Sequence, residues 1–123
     1  MEETSNLQKT TLEQVDERIV ELEEQIEIGA ALDRLHTNPD FTKVFLEGYL
    51  EAEAERLFRT LVTPSTIKRD AMENMMDKLT AIRNVKTYIK TCYQNAIMAP
   101  EQIEQEKLYR KEVTSGDTLD SEE

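Results

Sequence analysis

Leu12, Val15, Ile19, Leu22 and Ile26 recur at alternating intervals of three and four, the narrow a/d seam of a helix that winds around another helix. Thr10, followed three residues later by Glu13, reads as a capping box. A first helix is therefore predicted over about 10–36, behind a flexible stretch 1–9. The next seam position is Gly29, where the apolar set moves to Ile28, Leu32 and Leu35. That shift predicts a rotated face or a bend at the glycine. Asn38-Pro39-Asp40 supplies an N-cap, a proline at the first helical position and an acid at the positive dipole end. The helix it opens, over 39–62, carries a broad stripe of Phe41, Val44, Phe45, Tyr49, Leu50, Ala52, Leu57, Phe58, Leu61 and Val62, which suits packing on two neighbours.

Thr63-Pro64 repeats the cap-then-proline signal and predicts a third helix over 65–98. Met72, Met75, Leu79, Ile82, Ile89, Tyr93 and Ala96 fall on its heptad-like positions, interrupted at Lys86. Pro100 predicts a break, with a short fourth helix over 99–111. The stretch EVTSGDTLDSEE, residues 112–123, is predicted to be a disordered acidic tail. The fold class expected is all-α, a three-helix antiparallel arrangement with a long coiled-coil-like first helix, in one domain of 123 residues.

Charge refines this picture because it is uneven. The net value of −11 opposes direct binding to nucleic acid or to an anionic membrane. Residues 1–38 carry 3 basic and 10 acidic side chains, residues 39–62 carry 3 and 5, residues 63–98 carry 6 and 3, and residues 99–123 carry 3 and 8. Only the third helix is basic. Glu13, Glu17, Glu21 and Glu24 repel one another along helix 1, and Lys68, Arg69, Lys78, Arg83, Lys86 and Lys90 are the cations that answer them, in the same chain or across a subunit contact. A merely solvated acidic face is the plain alternative. One cysteine excludes an internal disulfide, and the start lacks the pattern of a signal peptide. A soluble protein of a reducing compartment is expected, with no membrane span.

Chemistry is sparse. His36 is the single histidine, so paired metal ligands cannot be assembled around it, and a histidine in a last helical turn is favoured by the dipole alone. Cys92 sits on an apolar stretch and reads as a buried, inert thiol. Gly29, Gly48 and Gly116 are too far apart for a phosphate loop or a nucleophile elbow. Glu51 and Glu55 share a helix face without any inferred pocket to tune them. No catalytic residue, cofactor, metal or small-molecule substrate is expected. Gly48 inside helix 2 predicts close approach of a neighbouring backbone, so Phe41, Phe45, Gly48 and Tyr49 are taken as helix-packing residues. Met72, Met75 and Met76 read as ordinary core, with an adaptable partner-binding patch as the alternative.

The segment IEIGAALDRLHTNPDFTKVFLEGYLEAEAERLFRTLV, residues 26–62, resembles short helical proteins of tailed bacteriophages. The likeness rests on the Leu32 and Leu35 pair, the Asn38 to Phe41 junction, the Glu47 to Tyr49 run, and Glu53, Ala54, Arg56 and Leu57. It implies a protein of virion structure or assembly, located in the host cytoplasm during assembly, with the virion as the further location. The function expected is a non-enzymatic helical interaction protein that pairs with copies of itself or with other phage structural proteins. The partner-binding residues expected are Leu12, Val15, Ile19, Leu22 and Ile26, with Glu17, Glu21 and Glu24 beside them, on the argument that helix 1 carries more seam than its own chain covers. The alternative is an acidic decoy that inhibits a host nucleic-acid-binding protein through the same glutamates.

Overall fold

A computed structural model describes the backbone of residues 2–63 and 67–122, and the side chains of residues 11–63 and 67–115. The described residues are helical almost throughout: α1 (Glu2–His36), α2 (Pro39–Phe41), a π-helix (Thr42–Glu53), α3 (Ala54–Val62) and α4 (Arg69–Glu122). Two departures from the expected boundaries matter. Helix α1 passes through Thr10 instead of starting there. Helix α4 starts at Arg69 and runs on through Pro100, which merges the predicted helices 65–98 and 99–111 into one. Thr63 ends α3, its extended backbone being the conformation favoured before a proline. It therefore does not start the next helix. Residues 64–66 lie outside the described residues.

Chain contacts form two units, each built from a different half of α4: α1 up to Gly29 with α4 from Gln94, and the stretch Ala30–Tyr93. In the first unit the helices are antiparallel, for Asp16 pairs with Arg110, Leu22 packs on Ala99 and Ile103, and Gly29 meets Ala96. Among the described side chains of α1, Val15, Leu22 and Gly29, seven residues apart, are the buried positions, and Leu22 is fully sealed at 0% exposure. This explains the helix through Pro100. A mid-helix proline costs about 3 kcal/mol, but Ile103 beyond it, with Ala99, is what covers Leu22. Each buried Leu or Ile contributes about 1.5–3 kcal/mol. Pro100 itself is exposed, so its ring does not occupy the buried seam. Residues 112–115, expected in the disordered tail, continue the helix with Val113 half-buried. Beyond 115 the tail's side chains lie outside the described residues.

The second unit is a helical hairpin of residues 39–93 joined by the last turns of α1, residues 30–36. Asn38 caps it as predicted, Oδ1 accepting the amides of Asp40 at 3.0 Å and Phe41 at 3.2 Å. The stretch 42–53 is then wound as a π-helix, a form that usually lasts a single turn. Its apolar residues explain the wider turn, because Phe41, the pair Phe45 and Leu46, the pair Tyr49 and Leu50, and Ala54 are spaced by four to five. Turns closed at i+5 keep those positions on one face. Leu50, Leu57 and Ile82 form the buried centre, with Phe45, Leu46, Tyr49, Ala54, Met75, Leu79, Val85 and Ile89 packed around them.

Candidate interaction surface

The residues expected to bind a partner divide sharply. Val15 and Leu22 are buried, Leu12 and Ile19 are half-buried, and Ile26 is exposed. Much of the seam is thus covered by the continuous C-terminal half of α4, so Val15 and Leu22 are not free to seat another molecule in this structure. The cause is the proline: with the chain broken at 100, that covering surface is invisible. Glu17, Glu21 and Glu24 are all exposed. Arg18 holds Glu21 at 3.4 Å on the same helix, and Arg110 reaches α1 from α4, bound to Asp16 at 3.0 Å. In the basic set named above, Arg69 is engaged by Glu73 on its own helix, and Lys78 lies close enough to Glu53 to favour its ionised form.

The two internal glycines exchange roles. Gly29, read as the end of the seam, is its tightest point, since a Cβ there would overlap the Ala96 methyl. Gly48 does not mark a neighbouring backbone. A Cβ there would sit 3.1 Å from the carbonyl of Lys43, five residues back in its own π-helix. The face does not rotate at Gly29 in the manner expected either, because Ile28 and Leu35 are exposed while Gly29 is buried.

Phe41, Phe45 and Tyr49 form an aromatic ladder, with ring centroids 5.1 and 5.7 Å apart. Phe41 also meets His36 edge-on at 6.4 Å. His36 Nδ1 lies 2.8 Å from the Leu32 carbonyl and 3.0 Å from the Tyr93 hydroxyl. A carbonyl can only accept, so Nδ1 carries the proton and the Tyr93 oxygen receives a share of it. Burial, then the charge and hydrogen bond of Asp33, hold the Tyr93 phenol above its ordinary value near 10. This cluster fastens the last turn of α1 within the hairpin unit. Cys92 is buried on α4. On the acidic segment, Arg56 donates Nε–H to Glu53 at 3.0 Å, and this hydrogen bond is the largest cause of the lowered Glu53 pKa. Arg59 pairs with Glu55.

An exposed apolar surface of the hairpin lies outside the residues expected to bind a partner on α1, and it includes two of the three methionines weighed as an alternative patch. Ala54, Phe58 and Val62 succeed one another at i+4 on α3, as do Met72, Met76 and Thr80 on α4, so each set forms a row along its helix. Ala54 and Thr80 line one shallow groove with Leu79, Arg83 and Lys86, which places both rows on the same side of the hairpin. Phe58 is 59% exposed, Val62 59%, Met76 55% and Met72 39%. The methionine trio therefore splits: Met75 packs against the centre, while Met72 and Met76 face outward. A usable signal was present in the stripe on helix 2, which is wider than one neighbour can cover.

No family model, curated protein or solved structure matches the chain. Among the described residues, no helix is long and apolar enough to cross a membrane.

Proposed function

We propose that the chain is a non-enzymatic helical interaction protein that takes part in the structure or assembly of a tailed-phage virion. One observation carries the interaction reading: the hairpin unit leaves Phe58, Val62, Met72 and Met76 exposed together on one side. Contiguous apolar surface of this kind marks contact sites. The virion context rests on the likeness of residues 26–62 to phage helical proteins, a segment that includes all of the π-helix and α3. The chain would act in the host cytoplasm while particles are built, as a transient assembly factor or as a resident of the virion.

Gradient fractionation of particles and assembly intermediates from cells producing the phage that encodes this chain provides the test. Co-sedimentation with either is expected, and Phe58→Glu with Met76→Glu should abolish it. Absence from every particle fraction at every stage would overturn the reading. The acidic-decoy alternative draws on the exposure of Glu17 and Glu24. It requires instead that changing both to Gln releases a host nucleic-acid-binding protein, in a salt-dependent manner.

A further inference from the structure

We infer that the cation row of α4 formed by Arg83, Lys86 and Lys90 receives the acidic outer face of α1 from a second copy of the chain, joining copies head to tail. This contact goes beyond the interaction reading above and uses neither Phe58 nor Met76. Between Asp77 and Glu101, α4 carries Lys78, Arg83, Lys86 and Lys90 and no carboxylate, in a chain of net charge −11. Lys78 is answered in part by Glu53. Arg83, Lys86 and Lys90 are exposed and follow one another at i+3 and i+7, which sets them on one face of the helix. On the helix that faces α4 in the hairpin, Glu53 and Glu55 are taken by Arg56 and Arg59. Among the described residues, neither Glu47 nor Glu51 nor any other carboxylate forms an ion pair with the row.

The matching surface is on α1. Glu13, Glu17, Val20 and Glu24 succeed one another at intervals of four, three and four, so they share a face, apart from the seam that buries Val15 and Leu22. The three glutamates are exposed and form no ion pair among the described residues, and Val20 between them is 54% exposed. Their neighbours Asp16 and Glu21, by contrast, are held by Arg110 and Arg18. Spacing agrees with sign. Glu17 and Glu24 are seven residues apart, as are Arg83 and Lys90, so each pair spans about 10.5 Å along its helix. With the pairs aligned, Val20 falls between them, against the aliphatic stem of Lys86. In one chain the two surfaces belong to different units, residues 13–24 to the first and residues 83–90 to the second, and no ion pair joins them among the described residues. Every copy carries both surfaces, so copies satisfy each other with no further molecule present. The surfaces differ, so each copy gives its glutamates to one neighbour and its cations to another, and the series closes into a ring or runs on as a filament.

The test uses the full chain and its charge reversals. In light scattering coupled to size exclusion at low salt, the parent should run well above the single-chain 14.3 kDa. Raising the salt from about 0.05 to about 0.5 M should weaken the association roughly tenfold. Glu17→Lys with Glu24→Lys should reduce the mass to that of one chain, as should Arg83→Glu with Lys90→Glu. All four positions are exposed, so helical circular dichroism should not change. An equimolar mixture of the two variants should reassemble, because the reversed α1 of one meets the reversed α4 of the other. A parent at the single-chain mass at every concentration would overturn the inference, as would an assembly that ignores salt or either reversal. Variants that separate with helicity intact and do not recover on mixing would assign the two surfaces to other partners and overturn it as well. A single-chain parent that still travels with particles would sink the second copy and spare the interaction reading. An assembling chain absent from all particle fractions would do the reverse.

Discussion

The two units solve the same packing problem with opposite materials. In the unit made by α1 and the distal half of α4, the contact is narrow: Val15, Leu22 and Gly29 face a helix whose contributions include Ala96, Ala99 and Ile103. Small residues let the backbones approach, and one leucine is completely enclosed. In the hairpin unit the contact is broad and aromatic, spread by a π-helix, and it leaves a second apolar row outside. A narrow seam can be satisfied by one neighbour, whereas a broad stripe on a two-helix hairpin cannot. Both units nonetheless keep apolar side chains outside their seams, among them Ile97, Met98 and Leu108 in the first and Phe58, Val62 and Met76 in the hairpin.

The strongest way to break this comparison is to empty each centre in turn. Leu22→Ala and Leu57→Ala should each cost about 2–5 kcal/mol in denaturant unfolding. Hydrogen exchange should then separate them, with Leu22→Ala loosening amides in 11–29 and 94–115 first, and Leu57→Ala those in 39–62 and 69–93. Identical exchange patterns would erase the distinction between the units. Next in size, Pro100→Ala should restore one amide-to-carbonyl bond inside α4 and raise stability by about 1–3 kcal/mol. A loss of stability there would show that the first unit depends on the proline.

The glycines sharpen the contrast further. Gly29→Ala forces a methyl onto Ala96 and should destabilise by about 1–3 kcal/mol, with Ala96→Gly relieving the clash in the double variant. Gly48→Ala should stay within about 1 kcal/mol of neutral, because the gain in helix propensity opposes pressure on the Lys43 carbonyl. The smallest effect expected is that of Tyr93→Phe. The Tyr93 phenol is raised in the folded chain, so its contribution is complete below the unfolded value near 10 and is lost as pH climbs through the folded one. Thermal melts above pH 10 should consequently fall less steeply in the Phe variant than in the parent chain.

What the sequence disclosed follows from which signals act locally. Asn38 could be read because a cap is decided by its next few residues. The all-helical class could be read because the apolar intervals are short and regular. Pro100 misled because a proline's local penalty is visible in the sequence, whereas the burial that outweighs it comes from residues 15–22, far away along the chain. Gly29 is opaque in the sequence, because a missing side chain gives no sign of the Ala96 methyl that packs against it. Val15 and Leu22 were recognised as seam residues, yet their cover lay beyond the supposed break. On the hairpin side, the apolar pairs at 45 and 46 and at 49 and 50 already carried the wider period, but any reading fixed on 3.6 residues per turn averages it into a stripe.

The π-helix also changes how the chain should tolerate insertions and deletions. A turn closed five residues back holds one residue more than a turn closed four back, so the span 42–53 contains slack. Removing a single residue there can be absorbed by one turn tightening, with α3 kept in phase behind it. The same deletion within 11–29, where the turns are already tight, would swing every subsequent side chain by about 100°. Natural length variation should accordingly collect between Thr42 and Glu53 and be purged from the stretch that carries Val15, Leu22 and Gly29.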